Sequence, residues 1–362
     1  MQQAGAGTAI EASRRIRTPI CETAFDPTSS TNHHRMTRDL AAMESLCSSG
    51  VPSGSLFHER WWLSAVTQGN FEEVTVSKGG RLVGRLPFVI NRKMGFTTVS
   101  MPAFTHVLGP WVNVGEGKEQ TQLLRRLSIV RDLLDQLPRF DSFKLALSAA
   151  TADGLAFQDR GYELTPQFTF LIDCCREPRE IWEQMHAKTR QHIRRAEEKF
   201  TVVASGDPHR FMRFFRTNAN RRGRVVPADF GVFETLFHEC RTRDCGEILS
   251  AIRPDGTPTA MIYVVWGHGT MYYLLSSRAA DADDNGSINL LIWSAIKRAN
   301  ERGLLLDLDG VISSGTARFL SGFGGRLNVR WIARRARLPY AMLQFAKRRI
   351  IGGVADETLA FT

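Results

Sequence analysis

No run of apolar residues in this chain approaches the roughly 18 that a membrane-spanning helix requires, and the opening MQQAGAGTAIEASRRIRTP lacks the apolar centre of a secretory signal. The expected address is therefore the cytoplasm, for a chain of 362 residues whose 43% hydrophobic content is enough to bury real cores. There is no CxxC pair. Of six cysteines, Cys174 and Cys175 are adjacent, and Cys240 and Cys245 lie five apart with no His or Cys partner nearby, so they read as free thiols in a reducing compartment and no metal is expected. GxSxG, GxxxxGK[ST], HExxH and a full GxGxxG are missing too, which removes support for hydrolase triads, nucleotide triphosphate hydrolysis, zinc proteolysis and dinucleotide redox chemistry.

Acidic residues are missing from one long stretch. Between Arg318 and Arg349 there are nine basic residues and no acidic one, and between Arg176 and Arg224 thirteen basic residues face six acidic ones. The whole chain carries +10, so everything outside these two stretches sums to a negative charge. Positive charge gathered in this way points to an anionic ligand rather than to a merely soluble surface.

Residues 1–36 are small, polar and aperiodic, and are expected to form a disordered or loosely attached arm. From there the pattern is α/β. EEVTVSKGGRLVGRLPFVI predicts a hairpin around Gly79-Gly80; FTTVSMP, FKLALSA and FTFLID predict strands; QTQLLRRLSIVRDLLDQL predicts an amphipathic helix ending before Pro138. The plan then repeats. A helix over 180–200 precedes two more helical patterns, a hairpin around Asp255-Gly256, the strand GTMYYLLSS, the helix SINLLIWSAIKRANER and the short strand LLLDLDG. The expected division is a first domain over 37–173, a second over 174–333 and a basic helix over 334–362.

In IWEQMHAKTRQHIRRAEEKF, Ile181, Trp182, Met185, Thr189, Ile193, Ala196 and Phe200 fall on one side at about 100° per residue, and Lys188, Arg190, Gln191, Arg194 and Arg195 on the other. The basic side suits phosphate, whose oxygens guanidinium groups grip in pairs. It also fits a solvated face paired with Glu183, Glu197 and Glu198. A second anion site is expected where GTMYYLLSS leads through RAADADDNG into a helix starting near Ser287, since the free N–H groups of Gly286, Ser287, Ile288 and Asn289 would face that loop. Ser287 as a plain N-cap is the competing explanation.

Three stretches together resemble the Fem-type branch of the GNAT acyltransferase superfamily. WEQMHAKTRQHIRRAEE is similar to the helix that opens the second domain of that branch, DLDGVISSGTARFLSGFGG to its ending, and MYYLLSS with the following Gly-led helix and LLLDLD to its strand, helix, strand core. The chain is identified on this basis as a FemAB-like or BioF-like acetyltransferase-domain protein, of a group whose bacterial members often accompany polysaccharide or cell-wall biosynthesis. The resemblance implies two tandem GNAT-type domains, each a mixed twisted sheet flanked by helices, and a C-terminal segment that returns to the first. It implies N-acyl transfer from acyl-CoA, as co-substrate rather than bound cofactor, to an amine of a sugar, amino acid or cell-envelope precursor.

Under that resemblance the donor would be held by Asn285, Gly286, Ser287, Ile288 and Asn289, and the substrate by Lys188, Arg190, Arg194, Arg195, Tyr272 and Arg318. The chain departs from the pattern at Val311 and Leu320, where the family ending carries Arg and Lys, and its donor loop is acidic. Acylating an amine requires a proton acceptor, an oxyanion partner and a leaving-group acid. Asp307 and Asp309, on one face of the buried strand, are the candidates for proton handling, and Tyr273 for the leaving-group acid. His192 reads as packed rather than catalytic; His106, in a loop of the first domain, reads as structural, with a cleft-lining role as the alternative.

The expected partner is a small-molecule or lipid-linked phosphorylated substrate. Two alternatives stand beside this reading. One is aminoacyl-tRNA-dependent Fem-type peptidyl transfer, which would place an RNA end on the same basic side. The other is a non-enzymatic nucleic-acid-binding protein, against which the arginines lack interleaved aromatic stacking platforms. The tail RRARLPYAMLQFAKRRIIGG, basic and apolar together, either packs on the first domain or makes peripheral contact with the inner membrane surface.

Overall fold

A computed structural model describes residues 54–148, 151–223, 229–279, 286–311 and 313–351, and the expected N-terminal arm over 1–36 lies outside them. In chain order the elements are a 3₁₀ turn at Leu56–His58, α1 (Arg60–Thr67), β1 (Glu72–Lys78), β2 (Arg81–Lys93), β3 (Phe96–Ser100), β4 (Trp111–Val112), α2 (Glu119–Asp135), β5 (Ser142–Ala146), α3 (Thr151–Asp159) and β6 (Glu163–Asp173). There follow α4 (Pro178–Gln184), α5 (Ala187–Glu197), β7 (Thr201–Ser205), α6 (Pro208–Arg221), α7 (Phe230–Thr242), β8 (Gly246–Ile252), β9 (Pro258–Gly267), β10 (Thr270–Arg278), α8 (Ser287–Glu301), β11 (Leu305–Asp307), α9 (Ser314–Ser321), β12 (Arg326–Ala336) and α10 (Leu338–Ile351).

The tandem pattern is present in the strand pairing. β1, β2 and β3 form an antiparallel ladder, β3 then pairs β5 in parallel, and β5 pairs β12 antiparallel. In the second half β8, β9 and β10 repeat the ladder, β10 pairs β11 in parallel, and β11 pairs β6 antiparallel. The halves exchange strands: the chain's last strand completes the first half and β6 completes the second. β6 and β12 then pair with each other from Arg326↔Leu171 to Arg334↔Glu163, so one continuous mixed sheet runs through both halves, and Arg330↔Gln167 stands at the midpoint of that seam.

Three cores cover this sheet. Phe143, Phe157, Leu133 and Leu145 fill the first half under α2 and α3. On one face of the second half Ile193, Leu291, Ile296 and Phe323 pack beneath α5 and α8. On its other face Phe57 and Trp62 from the start of the first half join Phe211, Phe233 and Tyr263. The first described residues and β12 therefore both cross the midline.

Two cysteines have a structural explanation. α7 ends with Asp244 at φ 48° and with the Cys245 N–H donating to the Cys240 carbonyl at 2.9 Å. This is the left-handed cap in which the third-last residue and the one beyond the turn touch, and here both are buried thiols. Among the described residues the cysteines are free.

The expected single helix over 180–200 is corrected to two. Met185 and His186 are extended at ψ 146° and 138°, and the His186 imidazole accepts the Lys188 N–H as the N-cap of α5. The break does not disturb the buried side: Ile181, Met185, Thr189, Ile193 and Ala196 are all under 9% exposed, because the turn restores the helical phase.

Candidate active site

β10 and β11 pair in parallel for only three positions, ending at Tyr272↔Asp307. Beyond that point β10 continues along β9 with an extra residue at Leu274, while the chain after Asp307 stays beside β6, the Leu308 N–H donating to the Phe170 carbonyl and Val311 bridging Phe168, and no longer pairs with β10. A gap thus opens between two adjacent parallel strands, with the bulge on one side of it and the DLDG turn on the other. Bulges re-aim side chains and free backbone groups, and they are common beside active sites.

The floor of the gap is a buried charge network. The Arg330 guanidinium reaches both carboxylates of the turn, Asp307 and, at 2.8 Å, Asp309. Asp307 ends β11 and Asp309 lies beyond it in the turn, yet both carboxylates reach the same guanidinium, and Leu308 packs into the core behind them. Asp307 also accepts from the Thr169 hydroxyl and, at 3.0 Å, from the Asp309 N–H. Asp309 itself sits at φ 33°, in the left-handed region that a non-glycine residue enters only at a cost. Arg330 and the Asp307 acceptor hold it there.

The remaining oxygen of Asp309 lies 3.3 Å from Nδ1 of His106, on the loop that follows β3. The two atoms are close without the alignment of a hydrogen bond, and Nδ1 has no other partner. Burial pushes the imidazole below its ordinary value, and the Asp309 carboxylate opposes this only in part, so His106 is neutral at pH 7. Burial would raise Asp309, but Arg330 and the Gly310 N–H oppose it, and the attraction to His106 when that ring carries a proton brings the carboxyl below its ordinary value. Burial, then the Asp307 carboxylate, raises the Tyr272 phenol; its ring packs against Phe57, tilted by 56° with centroids 4.6 Å apart, and faces the same network. With two carboxylates, one guanidinium and a neutral imidazole, the cluster carries one uncompensated negative charge in a nearly dry place.

The structure brings Asp307, Asp309 and Tyr272 together and leaves Tyr273 apart. Tyr273 points to the opposite face, among the side chains beneath α8, where burial raises its phenol well above the ordinary value. Arg330, His106 and Thr169 complete the site. For His106 the structure has the cleft-lining alternative rather than the purely structural one, and no sequence signal separates Arg330 from the other arginines of its basic stretch.

The two candidate anion sites are neighbours. α5 packs on α8, and a Cβ at Gly286 would lie 2.7 Å from the His192 carbonyl oxygen, so this position at φ 146° admits only glycine. Gly286 and Ser287 are buried there, and Ile288 and Asn289 are half-buried; Asn285 lies outside the described residues. The basic side of α5 is divided. Arg190 turns back and donates to the carbonyls of Glu183 and Met185, both at 2.9 Å, closing the end of α4. Arg194 lies over the Trp182 ring at 5.5 Å. Lys188 and Arg195 are exposed on the other flank, and Arg318 is exposed on α9.

The first and last of the resembling segments also touch. The His186 N–H donates to the Gly322 carbonyl at 2.9 Å, and a Cβ at Gly324 would stand 2.9 Å from the Gln184 carbonyl oxygen. The glycines of SGFGG let the end of α9 dock into the corner between α4 and α5.

Residues 184–315 match the family model of the acetyltransferase (GNAT) domain. The matched segment has the GNAT-type fold, and the strand pairing extends a mixed α/β plan of the same kind through the rest of the described chain. No curated protein sequence matches the chain. Among solved structures, FemX is similar over 84% of this chain and 97% of its own, with TM-score 0.58 at 13% identity. The C-terminal domain of a putative lysylphosphatidylglycerol synthetase from Agrobacterium fabrum is similar over 87% of this chain and 99% of its own, with TM-score 0.50 at 16% identity. At these identities the likeness is one of fold, that of GNAT-type acyl- and aminoacyl-transferases. No helix among the described residues is long and apolar enough to cross a membrane.

Proposed function

We propose that the chain is an N-acyltransferase that moves an acyl group from acyl-CoA to an amine of a sugar, amino acid or cell-envelope precursor. The observation that carries this is the parting of β10 and β11 directly above a buried cluster with one negative charge to spare. A thioester laid in the gap would present its carbonyl beside the bulge at Leu274, and the pyrophosphate would lie toward the first turn of α8 and the exposed Lys188 and Arg195. The spare negative charge favours an acceptor arriving as an ammonium. Its proton passes to the His106–Asp309 pair, the nitrogen lone pair attacks the thioester carbon, a C–N bond forms, and the C–S bond breaks as the thiolate takes a proton. Asp307, whose oxygens are filled by Thr169, Arg330 and the Asp309 N–H, holds the turn in place.

The test is a thermal-unfolding titration with coenzyme A and with short and long acyl-CoAs, since a ligand that binds only the folded chain raises the midpoint with concentration. A saturable rise supports the proposal, and the chain length giving the largest rise identifies the acyl class. The Fem-type resemblance and the FemX-like fold favour one second reading, transfer from aminoacyl-tRNA. Absence of any thioester effect, together with tRNA binding that weakens steeply with salt, would select it instead.

A further inference from the structure

The chain presents an apolar surface with a basic surround that none of the features above uses. α10 is fixed to the body on one side, where Tyr340 meets Phe96 at the start of β3, ring centroids 5.3 Å apart and nearly perpendicular. At about 100° per residue Leu338, Met342 and Phe345 share the opposite side of the helix. They are 78%, 70% and 63% exposed. Phe96 also closes the β2–β3 hairpin, whose tip is Met94, 79% exposed. Met94 occupies a turn position at φ 53°, followed by Gly95 at φ 78°, a place where Asn, Asp or Gly is the easy choice. An apolar side chain thus stands at the tip of a protruding turn, next to a helix whose outer side is apolar too.

The surround is positive. Arg92 and Lys93 are exposed beside Met94, and Arg335 and Arg337 are exposed where β12 gives way to α10. Lys347, Arg348 and Arg349 follow in the sequence, and no acidic residue interrupts 318–349. The nearby Asp141 is 4.0 Å from Arg337, so it is opposed by a cation of its own. A convex apolar tip and helix face with cations around them fit the boundary of an anionic lipid bilayer, where apolar side chains enter the acyl region and Lys and Arg meet phosphate. Protein interfaces, by contrast, are poor in lysine and commonly pair an apolar core with a complementary concavity.

We infer that α10 and the Met94 hairpin form a docking surface for an anionic membrane. It stands independently of the transfer reaction proposed above. The experiment is co-sedimentation of the full chain with phosphatidylglycerol-containing vesicles and with pure phosphatidylcholine vesicles, at low and high salt. The expected result is binding to the anionic vesicles that falls with salt and weakens at least about tenfold in the double variant Met94→Ser/Met342→Ser. Leu124→Ser, at a position 67% exposed on α2, is expected to leave binding unchanged. Absence of binding to anionic vesicles at low salt, equal binding to phosphatidylcholine, or an equal loss in Leu124→Ser would overturn the inference. Self-association in sedimentation equilibrium that Met342→Ser abolishes would overturn it too, by making a second copy the occupant.

Discussion

Nδ1 of His106 and Oδ2 of Asp309 face each other at 3.3 Å, joining a loop of the first half to the turn that ends β11. A neutral imidazole beside a carboxylate has room for one proton, so the pair is suited to take it from an arriving ammonium and give it up later. His106→Gln and Asp309→Asn are each expected to lower kcat by about two to four orders of magnitude; the thermal midpoint is expected to move little in His106→Gln and to fall in Asp309→Asn, which removes one partner of the buried Arg330. In the remaining activity the acid limb of the pH–rate profile is expected to flatten, which a purely structural role would not produce. Unchanged steady-state kinetics in both variants would remove the pair from the mechanism.

Arg330 concerns stability. Its guanidinium is buried between Asp307 and Asp309, and their charges, opposed by burial, raise its own value. Arg330→Met strands two buried carboxylates, and the expected loss is about 3–5 kcal/mol in urea unfolding. Adding Asp307→Asn and Asp309→Asn to that variant is expected to restore part of it. A loss below about 1 kcal/mol in the single variant would show that water reaches the cluster.

These two residues mark what the sequence could and could not disclose. Alternation singled out Asp307 and Asp309 together, although Asp309 lies in the turn beyond β11, and Gly79-Gly80 and Asp255-Gly256 located both hairpins, because turn chemistry is a local property. The partners of the aspartates come from a loop and a strand far away in the chain, and nothing local sets Arg330 apart from Arg326 or Arg334. The helix over 180–200 failed for a related reason. Its apolar spacing survives the break at Met185–His186, and the devices that make the break, a His186 cap and the Gly322 carbonyl, depend on tertiary contact.

His58 gives a pH dependence whose sign is determined. Burial is the main cause that lowers its value from 6.5 to about 4, with Nε2 2.7 Å from the Gly109 carbonyl oxygen and Nδ1 2.9 Å from the Ser55 hydroxyl. The unfolded chain takes the proton near 6.5 and the folded chain only near 4, so stability is full above the first value and falls as the pH drops toward the second. The single group is expected to account for about 3 kcal/mol over that interval. His106, lowered in the same direction, adds to it. Urea midpoints measured from pH 7 to pH 4 in the natural chain and in His58→Gln check this, with a shallower slope expected in the variant.

The basic helix separates binding from folding. Arg190 closes the end of α4, whereas Lys188 and Arg195 are exposed on the flank of α5 that looks toward the start of α8. If that flank receives the phosphates of a substrate, Lys188→Ala and Arg195→Ala are expected each to weaken its binding severalfold at low salt and progressively less as salt rises, with the thermal midpoint unchanged. Arg190→Ala is expected to do the opposite, lowering stability by about 1–3 kcal/mol through carbonyls left without a donor and leaving the salt dependence of binding alone. Isothermal titration at two salt concentrations beside unfolding curves of the three variants distinguishes the roles. Equal affinity in Lys188→Ala, Arg195→Ala and the natural chain at low salt would make the exposed flank a solvated face, and the phosphate site would then have to lie on the backbone of α8 alone.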